Sequence, residues 1–175
     1  MFLRRVVKLT IASAFFLAAC AVWAADASIG GIALPTPEGW RVGPDPDAPA
    51  EAPTLLFRTQ EGEDFMMLVT PWPKTFEGEK IDLPKARQVM EFAAMQTRSA
   101  SVEKELPVLE LNSDTVKGYY FSATDRAPRP GEYTYLIRGL ILVGDRPISF
   151  TILSNGKENL APAKALEVLR FAHAQ

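Results

Sequence analysis

The chain has 175 residues, 19 Lys and Arg against 21 Asp and Glu, a formal charge of −2, and 47% hydrophobic residues, with one cysteine and one histidine. This composition supports a buried core, and its acidic balance disfavours nucleic acid and anionic lipid, both of which need a basic field. One cysteine excludes an internal disulfide, and one histidine excludes a His-rich metal set.

The first element in the chain is an export signal: Arg4, Arg5 and Lys8 precede an apolar run from Leu9 to Leu17. Two cleavage sites compete at its end. Leu17-Ala18-Ala19-Cys20 resembles a lipobox, which would make 1–19 the leader and Cys20 the lipidated first residue. Val22-Trp23-Ala24 is an ordinary signal-peptidase site, which would make 1–24 the leader. The apolar run is shorter than the ~20 residues of a membrane span, so membrane attachment is expected only through an N-terminal lipid. Removing the leader leaves 16 basic against 21 acidic residues, a balance of −5. The expected location is exported and periplasmic, either soluble or lipid-anchored.

Residues 28–175 read as one domain of ordinary size. Ile29 to Leu34 suggests a short strand, stopped by Pro35-Thr36-Pro37-Glu38-Gly39 before Trp40-Arg41-Val42. The proline-rich stretch 43–53 has too few apolar residues to pack and predicts an exposed, extended loop. Thr54 to Arg58 and Phe65 to Thr70 read as a hairpin about the turn Gln60-Glu61-Gly62-Glu63-Asp64. A helix follows, with Asp82 as N-cap, Pro84 in its first turn, and Ala86, Val89, Met90, Ala93 and Thr97 at helical spacing. Met66, Met67, Met90 and Met95 read as core filling rather than a soft-metal site, because no His or Cys accompanies them.

The second half predicts a meander of Val116 to Thr124, Tyr133 to Val143 and Arg146 to Ser154, the last two joined tightly at Gly144-Asp145. Apolar residues on both faces of the middle strand predict a central position covered on both sides. A second helix is expected from near Asn159, with Pro162 in its first turn, through Ala165, Leu166, Leu169 and Phe171 to the C-terminus. The fold class is thus α+β, an antiparallel sheet flanked by two main helices.

Chemistry is sparse. His173 lies two residues from the C-terminus, where fraying is expected, so a Ser/His/Asp arrangement is not credible. Ile29-Gly30-Gly31 precedes a strand rather than a helix, the wrong context for a phosphate loop. No cofactor or metal is implied. Glu61, Glu63 and Asp64 cluster in one turn, and Asp125 and Glu132 flank another; paired carboxylates are the only route to hydrolysis here. The loop Asp125-Arg126-Ala127-Pro128-Arg129-Pro130-Gly131-Glu132 is the candidate for recognition, since its arginines suit carboxylates and phosphates. Alternatively, Arg126 and Arg129 pair with Asp125 and Glu132 inside the loop. Trp40 and Trp72, both at strand ends, either close the core or line a cleft.

The segment Ile32-Ala33-Leu34-Pro35-Thr36-Pro37-Glu38-Gly39-Trp40 resembles the opening of PsbP-like domains, and Ala165-Leu166-Glu167-Val168-Leu169-Arg170-Phe171 is similar to their closing helix. The resemblance implies a three-layer α/β/α sandwich. Such domains include photosystem II accessory subunits, a nuclear-import regulator and DcrB-like bacterial envelope lipoproteins, with no shared catalytic constellation. This chain departs from the pattern in its proline-rich insertion and in lacking a Ser-Phe pair in the closing helix. The expected function is a non-catalytic binding, accessory or assembly domain of the bacterial envelope, with a protein or small-molecule partner. The alternatives are a carboxylate-dependent envelope hydrolase and a carrier of a small apolar ligand held near Met90 and Phe92.

Overall fold

A computed structural model describes residues 23–60, 64–76, 78–156 and 160–175. The lipobox with Cys20, Val22, Glu61, Glu63 and Asn159 therefore lie outside the described residues, whereas Trp23 and Ala24 of the second cleavage site fall at the start of the first strand. The elements in chain order are β1 (Trp23–Ile29), β2 (Ile32–Pro37), β3 (Trp40–Pro44), β4 (Leu55–Thr59), β5 (Phe65–Pro71), β6 (Thr75–Phe76), β7 (Glu79–Lys80), α1 (Leu83–Thr97), β8 (Leu109–Asn112), β9 (Val116–Thr124), β10 (Tyr135–Val143), β11 (Arg146–Ser154), α2 (Ala161–Arg170) and β12 (His173–Ala174).

Seven strands form an antiparallel sheet in the order β3-β4-β5-β11-β10-β9-β8, which puts β10 and β11 near its middle. Their hairpin turns at Gly144, whose φ of 62° suits glycine, and pairs Val143 with Arg146 and Tyr135 with Ser154. Strand alternation then sends Phe57, Phe65, Met67, Val69, Ile141, Ile148, Phe150 and Ile152 into one core. Ala165, Val168 and Leu169 of α2 and Ile32 and Leu34 of β2 close that core. The covering layer is a composite, because β1, β2 and β12 form a second, three-stranded sheet beside α2. Two close approaches fix the packing. A Cβ on Gly139 would stand 2.3 Å from the Phe150 ring, and one on Gly118 would stand 2.4 Å from the Leu140 carbonyl oxygen.

The opposite face is covered by α1. The Asp82 carboxylate accepts the Lys85 amide hydrogen bond at 2.9 Å, and Ala86, Met90 and Ala94 recur one turn apart as the buried stripe. Met90 packs with Leu140 and Leu142, and Ala94 with Phe121 and Ala123. The helix rests on β9 and β10. Beyond it, Leu56 of β4, Leu68 and Thr70 of β5 and Thr151 of β11 share this face and are only half-buried.

Several expectations change in the tertiary structure. The strand expected at Ile29 to Leu34 is instead a hairpin turning at Gly30-Gly31, both at positive φ, and β2 runs on through Pro35 and Pro37. Proline is accepted there because β2 pairs with β1 along its length but with β12 only at Ile32 and Ala33. The loop after Pro44 is not extended. It folds back through Asp45 N–H to Thr54 O, Ala48 N–H to Asp45 O and Ala52 N–H to Pro49 O, at 2.9, 3.2 and 3.0 Å. The second helix stops at Arg170 rather than continuing to the C-terminus. His173 does not fray; it pairs with Ala33 in β12, and its Nε2 lies 3.9 Å from Asp26. Cover over β10 is incomplete: Gly139 to Val143 are buried, whereas Arg138 is exposed.

Candidate functional site

The residues offered by the sequence do not converge. In the loop after β9, neither Arg126 nor Arg129 forms an ion pair with Asp125 or Glu132. The Arg126 guanidinium donates from Nε and Nη2 to the Ser101 carbonyl, at 3.1 and 2.7 Å. Asp125 accepts the Ala127 amide hydrogen bond, and Glu132 accepts that of Arg129, both at 2.9 Å. The two carboxylates thus stabilise the turn's own backbone, and Arg129 is exposed.

Arg126 belongs to a larger fastening that holds the segment after α1 against β9. Val102 N–H donates to Thr124 O at 2.8 Å and Arg126 N–H to Ala100 O at 2.9 Å. The Glu103 carboxylate accepts from Thr124 N–H at 2.9 Å and from Thr124 Oγ1 at 2.7 Å. Burial pushes the Glu103 pKa up, but its hydrogen bonds, chiefly from Thr124, outweigh that and hold it below its ordinary value. The fastening positions the C-terminal end of α1.

A cleft of about 500 Å³ runs along α1. Val89, Phe92 and Gln96 form its helical wall, and Arg138, Gly139 and Ser149 form its floor on β10 and β11. Trp72, anchored by its amide to the Pro147 carbonyl at 2.8 Å, stands where the Met90 cluster lies. Lys85, also in the lining, donates to Glu79 at 2.5 Å. Phe92 is 56% exposed. Trp40 takes the other role, packing on Phe65 with ring centroids 4.8 Å apart. Met67 and Met90 are buried, as core filling predicts, while Met95 is exposed on α1.

On the other flank of α1 a cavity of about 340 Å³ is lined by Arg87 and Arg98 together with Glu91 and Glu105, so its charges balance. The Arg87 to Glu91 contact of 2.9 Å takes up one pair, and Arg87 also sits over the Tyr119 ring at 5.8 Å.

Sequence reasoning missed Arg138. It lay hidden in a strand read as apolar on both faces, although an arginine midway along such a strand already signals that one face is open there. Among the described residues, no helix is long and apolar enough to cross a membrane.

No protein-family model matches the chain, and no curated protein matches it. Among solved structures it is similar to the solution structure of cyanobacterial PsbP (CyanoP) from Synechocystis sp. PCC 6803. The TM-score is 0.50 at 13% identity, over 93% of this chain and 98% of that one. The chain has the PsbP-like α+β fold.

Proposed function

We propose that this is an exported, non-catalytic accessory protein of the bacterial envelope that acts by binding, and that its binding surface is the cleft beside α1. The observation that carries this reading is the cleft: a helical wall of Val89, Phe92 and Ala93 with Gln88 and Gln96 between them, its phenylalanine exposed, over a sheet floor that presents Arg138 and Ser149. The leader supports export, and the PsbP-like fold is one whose members include accessory subunits. The carboxylates Asp125 and Glu132 serve their own turn, which favours binding over hydrolysis.

A photo-crosslinking residue placed at Phe92, compared with one at exposed Arg129, tests the reading in intact envelopes. Adducts specific to position 92 are expected. Adducts only at 129 that vanish in an Arg126→Ala, Arg129→Ala variant would move the binding surface to the loop after β9. Adducts at neither position would defeat the reading. A carrier function is a second reading, favoured by the cleft volume and by Met90 and Phe92 in its lining.

A further inference from the structure

We infer that the cleft beside α1 takes an anionic amphiphile, an acyl chain whose carboxylate or phosphate is held by Arg138. This rests on the binding role of the cleft and specifies its ligand. The charge pattern is the first support. The domain is acidic, yet the cleft lining contains Lys85 and Arg138 and no Asp or Glu. Glu79 at the rim neutralises Lys85, whereas the Arg138 guanidinium has no hydrogen bond or ion pair among the described residues. A guanidinium presented without a counter-charge at the mouth of an apolar groove suits a planar or tetrahedral oxyanion.

Head and tail positions follow from the register. Met90 packs at Leu140 and Leu142, and Ala94 at Phe121 and Ala123, so α1 runs along β10 toward Leu136. Arg138, between Leu136 and Leu140, therefore faces the C-terminal half of the helix, while Trp72 packs with the Met90 cluster at the N-terminal half. From Lys85 to Gln96 the helical wall is about 16 Å long. That gives an unpaired cation at one end and an elongated trough of Val89, Met90, Phe92 and Ala93, with Gln88 and Gln96 on its wall, ending at an indole near Lys85, whose charge Glu79 meets. Burying Phe92 and the trough lining under a chain removes apolar surface from water. A second copy of this chain suits the face less well, since an isologous contact sets cation against cation.

The test uses the purified protein and three probes below their micellar concentrations: palmitate, 1-hexadecanol and monopalmitoyl phosphatidylglycerol, read by native mass spectrometry and calorimetry. Palmitate or the lysophospholipid is expected to bind at 1:1 and at least about tenfold more tightly than hexadecanol. Arg138→Gln should weaken the anionic probe about ten- to hundredfold and leave hexadecanol unchanged. Phe92→Gln, at an exposed position, should weaken all probes without unfolding the protein. Preference for palmitate assigns a free acyl acid, and preference for the lysophospholipid a membrane-derived ligand. Equal binding of hexadecanol, an unaffected Arg138→Gln variant, or no binding of either anion would overturn the inference. If no anion binds while position 92 still crosslinks to a protein, the ligand assignment falls and the binding role stands. If neither occurs, both fall.

Discussion

Replacing Glu103 tests whether one carboxylate fastens the segment after α1 to the sheet. Glu103→Ala removes the acceptor for Thr124 N–H and for Thr124 Oγ1, bonds of 2.9 and 2.7 Å, and leaves both donors in a half-buried position. Each hydrogen bond to a charged group contributes roughly 1.5–3 kcal/mol, and partial solvent access reduces the pair to about 2 kcal/mol. For a domain of this size that lowers Tm by about 4–8 °C. Glu103→Gln keeps one acceptor oxygen and should lose about half as much. The pH dependence separates an ionic from a merely steric role. The carboxyl pKa is lower in the folded state than its ordinary 4.5, so its stabilisation is present above that value and is lost as pH falls through the folded pKa. The Tm gap between the native protein and Glu103→Gln, followed by circular dichroism, should be full well above the ordinary 4.5 and narrow steadily as pH falls below it. A gap that persists unchanged to pH 3, or an alanine variant within ~0.5 kcal/mol of native, would refute the reasoning.

Four further outcomes follow from local geometry. Gly118→Ala should cost at least about 2 kcal/mol in urea unfolding, because its Cβ would meet the Leu140 carbonyl at 2.4 Å. Gly43→Ala, with nothing within 4 Å, should be neutral or stabilising by up to about 1 kcal/mol. Gly31→Ala should cost about 2–3 kcal/mol, since φ is +72° and its Cβ would displace the Arg146 guanidinium from the Gly30 and Gly31 carbonyls; a loss no larger than that of Arg146→Ala would argue against backbone strain. Asp82→Ala should cost about 1 kcal/mol, with amide exchange of Lys85 rising first, because the N-cap bond at 2.9 Å is lost.

Much of the architecture was legible because it rests on local chemistry. Asp82 and Pro84 mark the start of α1 through capping and a missing N–H, and Gly144-Asp145 marks the β10–β11 turn through positive φ. These signals act within a few residues and survive in any context. β8 and β12 escaped notice because they are short, and β12 gains its hydrogen bonds only from a distant partner. His173 is ordered by Ala33, far away in sequence. Arg126 looked like a ligand-binding side chain until the fold brought the Ser101 carbonyl beneath it. Its pairing with Asp125 and Glu132 was a matter of sequence proximity, whereas its actual partner is set by how α1 returns to β9.

By itself, the sequence determined the two helices, the central hairpin and the scarcity of reactive groups, because each depends on residue type or short-range periodicity. Only the tertiary structure decided that α1 covers β9 and β10 and stops there, so that Arg138, Phe92 and Trp72 meet along one cleft. A strand's alternation says which side chains share a face. It does not say how much of that face a helix will cover, since that depends on the width of a sheet assembled from strands far apart in the chain.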